Sequence, residues 1–218
     1  MKPFVGLFIA LVILSIPTSA QEKNEVGLNI GATLTPSESL APGASLIGPS
    51  GNVLPNRSLN FDSSLALGAE YDHRIVSGSR VAFYAGIDFL ASPNDVQLSQ
   101  RTQNSPKSYA YIFLTPHVRV KFNSRRTLSP WLEFGGGYAR FLSAVPPAAT
   151  AFERGRNTGT LEFGGGVDTH TVLHVFKIPV GFRLEVRDFY SGLPNYDVKV
   201  TGSLQNNVAF TAGLLIKF

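Results

Sequence analysis

Apolar and polar residues alternate one for one in eight stretches of the chain: 25–34, 61–72, 80–91, 109–122, 131–141, 159–168, 177–188 and 207–218. A period of two marks a strand with one apolar and one polar face. The stretch FRLEVRDF (182–189) shows it plainly, with Phe182, Leu184 and Val186 interleaved with Arg183, Glu185 and Arg187. Each stretch has about the length a tilted membrane strand needs, roughly 9–11 residues or slightly more. No amphipathic helix of useful length interrupts them.

The connections alternate as well. Those at 35–60, 92–108, 142–158 and 189–206 are long, and those at 73–79, 123–130 and 169–176 are short. Long structureless loops count against a compact soluble domain. Long loops on one side of a membrane and short turns on the other are expected of an outer-membrane barrel. An even number of strands also brings both termini to the same side. The pattern therefore predicts an all-β protein, an eight-stranded antiparallel up-and-down transmembrane β-barrel.

Strand by strand, one face collects Val26, Leu28, Ile30, Leu65, Leu67, Phe83, Ile87, Phe89, Leu114, Val118, Leu132, Phe134, Leu161, Phe163, Leu184 and Val186, with Phe210, Leu214, Ile216 and Phe218 on the last strand. The other face carries Glu70, Asp88, His117, Arg119, Lys121, Glu133, Glu162, Arg183, Glu185, Arg187 and a glycine on seven of the eight strands. Periodicity alone does not say which face is inside. A narrow barrel is filled by side chains, and glycine on the polar face leaves room for long charged ones and eases closure. That favours polar-in. Asp188 then has lipid-facing parity and is expected at the outer rim. Pro116, on the apolar face, is expected to cause a bulge or local break, because proline cannot donate to the ladder.

The N-terminus adds a location. Lys2, an apolar run from Phe4 to Leu14 and Thr18-Ser19-Ala20 read as a secretory signal peptide over residues 1–20, leaving 21–218 as one barrel domain. No cysteine is present, which excludes a lipoprotein anchor, disulfides and thiolate metal sites. Charged residues make up 16% of the chain, against roughly 25% in soluble domains. Without Lys2 the formal charge falls from +4 to +3, and no basic run supports nucleic-acid binding.

The alternating VGLNIGATL, the EFGGGYARF and EFGGGVD strands, LEVRDFYSG and the terminal LLIKF together resemble the OmpA/OmpX-type eight-stranded outer-membrane β-barrel superfamily of Gram-negative bacteria. The resemblance spans the mature chain in pattern more than in diagnostic motif. It implies a cell outer membrane location, a lipid and lipopolysaccharide environment, and delivery to the barrel-assembly machinery. Phe210, Leu214, Ile216 and Phe218 resemble the C-terminal signal that such machinery reads. A monomer is expected, and an extracellular ligand or surface partner would be met through the loops.

Two glycine triplets, after Glu133 and after Glu162, echo a phosphate cradle, but such loops open a helix and none follows. Glu70, Asp88, Arg119, Lys121, Glu133, Glu162, Arg183, Glu185 and Arg187 form either a structural lumen network or an ion path. An Arg or Lys on the lipid face costs roughly 2–4 kcal/mol at the midplane, and a buried charge needs a partner. Glu162 is expected near Arg183 or Arg187, and Glu70 and Glu133 near Arg119 and Lys121. Enzymes of this architecture need a His or carboxylate with a Ser nucleophile or activated water near the outer rim. His73, His170 and His174 fall at the short turns and His117 inside. No catalytic, cofactor or metal residue is therefore assigned. Tyr71, Trp131, Tyr138, Phe141 and Tyr190 are expected in the interfacial belt, although Trp131 has inward parity.

The expected function is a barrel with a side-chain-filled lumen, structural or surface-interactive through four long extracellular loops. A small porin-like channel and a soluble periplasmic ligand-binding barrel are the alternatives.

Overall fold

The computed structural model describes residues 23–47, 50–55, 58–78, 80–97, 108–123, 127–143, 155–175, 178–194, 196 and 199–218. The signal segment expected over 1–20 lies outside them. Eight long strands form the wall: β1 (Asn24–Leu34), β2 (Ser64–Ser77), β3 (Val81–Gln97), β4 (Ser108–Phe122), β5 (Leu128–Ser143), β6 (Arg156–Thr169), β7 (Ile178–Gly192) and β8 (Leu204–Lys217). Each pairs antiparallel with its sequence neighbour, and β8 pairs with β1, so the sheet closes without an edge. Closure removes the unpaired strand edges that an open sheet presents.

The strands run several residues past the alternating stretches at the loop end, where the rule of one apolar face no longer holds. The ladder fixes the geometry of closure. From Leu34 it passes through Val208, Asp188, Phe163, Phe134, Val118, Ala85 and His73 and returns to Asn24, ten residues lower on the same strand (34 − 24 = 10). A shear of this size with eight strands gives a tilt of about 40° and an interior that side chains can fill.

Pro116 produces no bulge. The β4–β5 pairing skips Thr115 and Pro116, yet Leu114↔Tyr138 and His117↔Gly135 keep one register. Pro116 still pairs with Ile87 on the other side. The interruption is confined to lost bonds, because the prolyl ring points to the outer wall. A bulge does occur between Arg74 and Val76, next to the first short turn.

Outward rows are exposed and apolar, with Leu28, Ile30, Leu132, Phe134, Phe163, Leu184 and Phe210 among the most exposed side chains. Inward rows are buried and, towards the end that carries both termini, charged. At the opposite end the first long loop folds back over the opening. A two-residue pair, Glu38–Ser39 with Ser58–Leu59, anchors it. A bridge then joins Leu40 to Val200 in the last loop. Ala41 N–H donates to Lys199 O at 3.0 Å and Thr201 N–H to Ser39 O at 2.9 Å. Leu46 and Leu59 of this lid are buried. Gly43 and Gly51 turn the loop with φ of 82° and 81°, a conformation that L side chains rarely adopt.

Candidate functional site

Among the described residues charge converges in the lumen, and the strands contribute by parity. β2 offers Glu70 and Asp72, β3 Asp88, β4 Thr115, His117, Arg119 and Lys121, β5 Trp131 and Glu133, β6 Glu162 and Asp168, and β7 Arg183, Glu185 and Arg187, all buried. β1 adds Glu25 and Asn29. Every one of the nine residues singled out as lumen charges has its side chain in this cluster.

Three tiers build it. Nearest the termini, Lys121 Nζ lies 2.5 Å from Glu25 and 2.6 Å from Asp168. Arg183 Nε holds Asp168 at 2.6 Å, and Trp131 Nε1 donates to the same carboxylate at 2.9 Å. In the middle, Arg119 bonds Glu70 at 2.7 Å, Glu133 at 2.5 Å and Asp72. Arg119 and Arg183 both stack near the Trp131 ring, at 4.2 and 5.0 Å from its centroid, a favourable arrangement for desolvated cations. Above them Arg187 reaches Asp88 and Glu133 at 3.0 Å each, Glu185 at 2.8 Å and Glu70. Glu162 lies 3.7 Å from Arg187 and accepts from Thr115. Arg183, by contrast, turns to Asp168 and Glu70 rather than to Glu162.

Glycine makes room for this packing. A Cβ on Gly164 would collide with Glu133, one on Gly27 with Glu70, and one on Gly86 with Asp72 and His117. These three polar-face glycines thus sit where carboxylates cross the lumen, while Gly31 and Gly213 lie against the backbone of the neighbouring strand.

Asp88, His117 and Glu133 could offer three ligand atoms to one metal ion. Their present partners argue against it. His117 Nε2 meets Asp72 at 2.8 Å and Nδ1 meets Asp88 at 2.9 Å, so both ring nitrogens face carboxylates as an imidazolium would. Arg187 and Arg119 already cover Asp88 and Glu133. His73, His170 and His174 sit near the short turns, where His73 bonds Asn24 at 2.8 Å.

The loop half of the lumen differs from the expected ionic filling. Tyr109, Tyr111, Phe113, Phe141 and Phe189 point inward there and form one apolar cluster with Leu46 and Leu59 of the lid and Tyr196 of the last loop. Phe113 and Phe189 stack with centroids 4.5 Å apart at 9°. Tyr196 donates to Gln205 at 2.6 Å, and Gln205 to the Tyr109 hydroxyl at 3.1 Å. Burial pushes the Tyr196 phenol up from its ordinary value, which keeps it a donor. Phe141 and Trp131 are therefore corrected from belt to lumen, each 1% exposed. Both sit on odd positions of β5, the inward row. Tyr71, Tyr138 and Tyr190 do face outward, about two-fifths exposed.

Four members of the cluster escaped the sequence reading as partners: Glu25, Asp72, His117 and Asp168. The first, second and fourth lie at the ends of their alternating stretches, where a residue reads as rim. Parity was the available signal, since Asp72 follows Glu70 by two.

Asp188 stands on the outward row of β7, the parity expected of it. It lies inside the ladder, paired with Phe163 and Val208, with Tyr190 and Gly192 beyond it on β7. The strand continues four residues further than the alternating stretch, to Gly192.

No family model and no curated protein matches the sequence. Solved structures do. The crystal structure of Neisserial surface protein A is 12% identical, with a TM-score of 0.54, over 92% of this chain and 100% of that one. The outer membrane protein OprG from Pseudomonas aeruginosa is 13% identical over 91% of this chain and 98% of that one, with a TM-score of 0.47. The attachment invasion locus protein Ail of Yersinia pestis, in complex with the heparin analogue sucrose octasulfate, is 11% identical over 88% of this chain and 99% of that one, with a TM-score of 0.43. The first of these likenesses carries the fold: this chain has the eight-stranded barrel architecture of the outer-membrane proteins.

Proposed function

We propose that this chain is an integral outer-membrane barrel whose lumen is a structural plug and whose outer face, lid included, is its working surface. The carrying observation is the inversion of an ordinary core. Large apolar side chains on all eight strands point away from the centre, while the charged ones are buried within it. In water the exposed band would be an aggregation surface; against acyl chains it is the stable arrangement. The long loops then belong outside the cell, and both termini face the periplasm.

Two layers support the plug over the channel. The ionic tiers interlock across the barrel from β1 to β7, and the aromatic cluster and lid lie over them. An ion would have to part both. The C-terminal Phe210, Leu214, Ile216 and Phe218, on the outer row of β8 and just beyond it, suit recognition by assembly machinery before the barrel closes. With the lumen filled, a structural or surface-interactive role remains.

Planar-bilayer recording of the purified protein tests this reading. Brief, small events or silence are expected, and a stable, sizeable open state overturns the plug. Recovery in the soluble periplasm after fractionation overturns the membrane location.

A further inference from the structure

The lid is fastened to the last loop along one short seam. Thr201 N–H donates to Ser39 O at 2.9 Å and the Thr201 hydroxyl to Leu40 O at 3.1 Å, while Ala41 N–H donates to Lys199 O at 3.0 Å. A hydrogen bond contributes little net free energy once the water contacts it replaces are counted. An uncompensated charge at such a seam therefore weighs as much as the bonds that close it.

Glu38 stands at the head of the seam. It is half-buried and pairs with Leu59 in the short ladder of the lid. Its carboxylate lies against Gly202 of the last loop, where a Cβ would come within 2.9 Å of Oε2. Among the described residues no hydrogen bond or ion pair is made to that carboxylate. The titratable groups on the surrounding elements are the Tyr109 phenol of β4, the Tyr196 phenol and exposed Lys199 of the last loop, and exposed Asp62 of its own loop. Burial pushes the Glu38 carboxyl up from its ordinary value, and no neighbouring cation offsets it.

We infer that the lid is a pH-sensitive latch keyed by Glu38, seated on the last loop while this carboxyl is protonated and loosened when it ionises. Docking withdraws the carboxyl from water and undocking returns it, so the docked lid binds the proton more tightly. Docking is strongest below the ordinary carboxyl value of 4.5 and weakens as pH rises through the higher docked value. Leu46 and Leu59 are then held over the aromatic cluster in acid and released from it more readily at neutral pH. The latch rests on the outer-membrane reading above only for placing the lid outside the cell, where it meets external pH.

The test is hydrogen exchange of the full protein in phosphatidylcholine nanodiscs, read by mass spectrometry between about pH 4 and about pH 8 and corrected for intrinsic exchange. Wild-type protection over residues 39–47 is expected to fall roughly threefold or more across that range, the effect of one carboxyl proton. Glu38→Gln, neutral at every pH, should keep the protection seen in acid throughout. Asp62→Asn should follow the wild type, which separates Glu38 from the exposed acid nearby. A wild-type lid indifferent to pH overturns the latch, as does an unchanged pH dependence in Glu38→Gln or its loss in Asp62→Asn. A Glu38→Gln lid unprotected at every pH also overturns it. Amides of β5 should stay protected throughout, and their exchange in step with the lid would mean that the whole barrel, not the latch, responds. Cell fractionation and bilayer recording report separately on the membrane location and the plug, so these readings fail by different measurements.

Discussion

At the end of the lumen near the termini, Arg119, Arg183 and Arg187 each bridge several carboxylates from different strands; at the loop end, Phe113, Phe141, Phe189 and three tyrosines fill the same cross-section with rings. Both halves are dry and dense, yet they are specified differently. Each cation has directional partners, and losing one strands several like charges in a low dielectric, where an unpaired group is far more expensive than in water. The rings are specified by shape, and losing one leaves a cavity whose cost depends on how far its neighbours relax. Among the described residues, eight buried carboxylates, Glu25, Glu70, Asp72, Asp88, Glu133, Glu162, Asp168 and Glu185, share the lumen with Arg119, Lys121, Arg183, Arg187, Lys217 and His117. The ionic half is therefore short of cations, and its positive members are the irreplaceable ones.

The largest effect should come from Arg187→Met. It leaves Glu185 without its arginine, Asp88 with only His117, and Glu70 and Glu133 crowded on the remaining arginines, and should lower stability by about 4 kcal/mol, read by urea unfolding of the folded barrel in lipid. A loss below about 1 kcal/mol would mean that water already screens this tier. Phe113→Ala, which removes the stack on Phe189, should cost about 3 kcal/mol by the same assay. Leu46→Ala should cost about 2 kcal/mol, taken from lid docking, and show itself first as faster protease cleavage of the first loop. Phe134→Ala removes an outward ring that packs against Phe163 at a tilt of 49° with centroids 5.0 Å apart and should cost about 1 kcal/mol. Smallest of all, Glu162→Gln removes one acidic charge from the acid-rich half and should change stability by less than about 1 kcal/mol. If Glu162→Gln destabilised as much as Arg187→Met, the asymmetry between acids and bases would be lost.

The contrast also explains what could be read from the chain. The barrel and its strand count were legible because a two-residue period and alternating loop lengths are properties of the sequence itself. The ionic half was legible because charge on a strand facing lipid is costly, which assigns Arg183 and Arg187 to the inside. The aromatic half was hidden. Phe and Tyr suit lipid, interface and core alike, so Phe113 and Phe141 reveal nothing by type, and only their parity with His117 and Glu133 places them. The lid was hidden for another reason. Leu40 and Val200 meet across 160 residues (200 − 40 = 160), and no local pattern encodes such a contact.

That long-range bridge has a consequence for the order of events during assembly. Leu40 follows the first strand and Val200 precedes the last, so the lid joins elements that become neighbours only when β8 pairs with β1. Contacts of such sequence separation form late, because the intervening chain must be organised first. The lid is therefore a clock for barrel closure. While the seam between the first and last strands is open, the first loop stays accessible, and once it is protected the cylinder is complete.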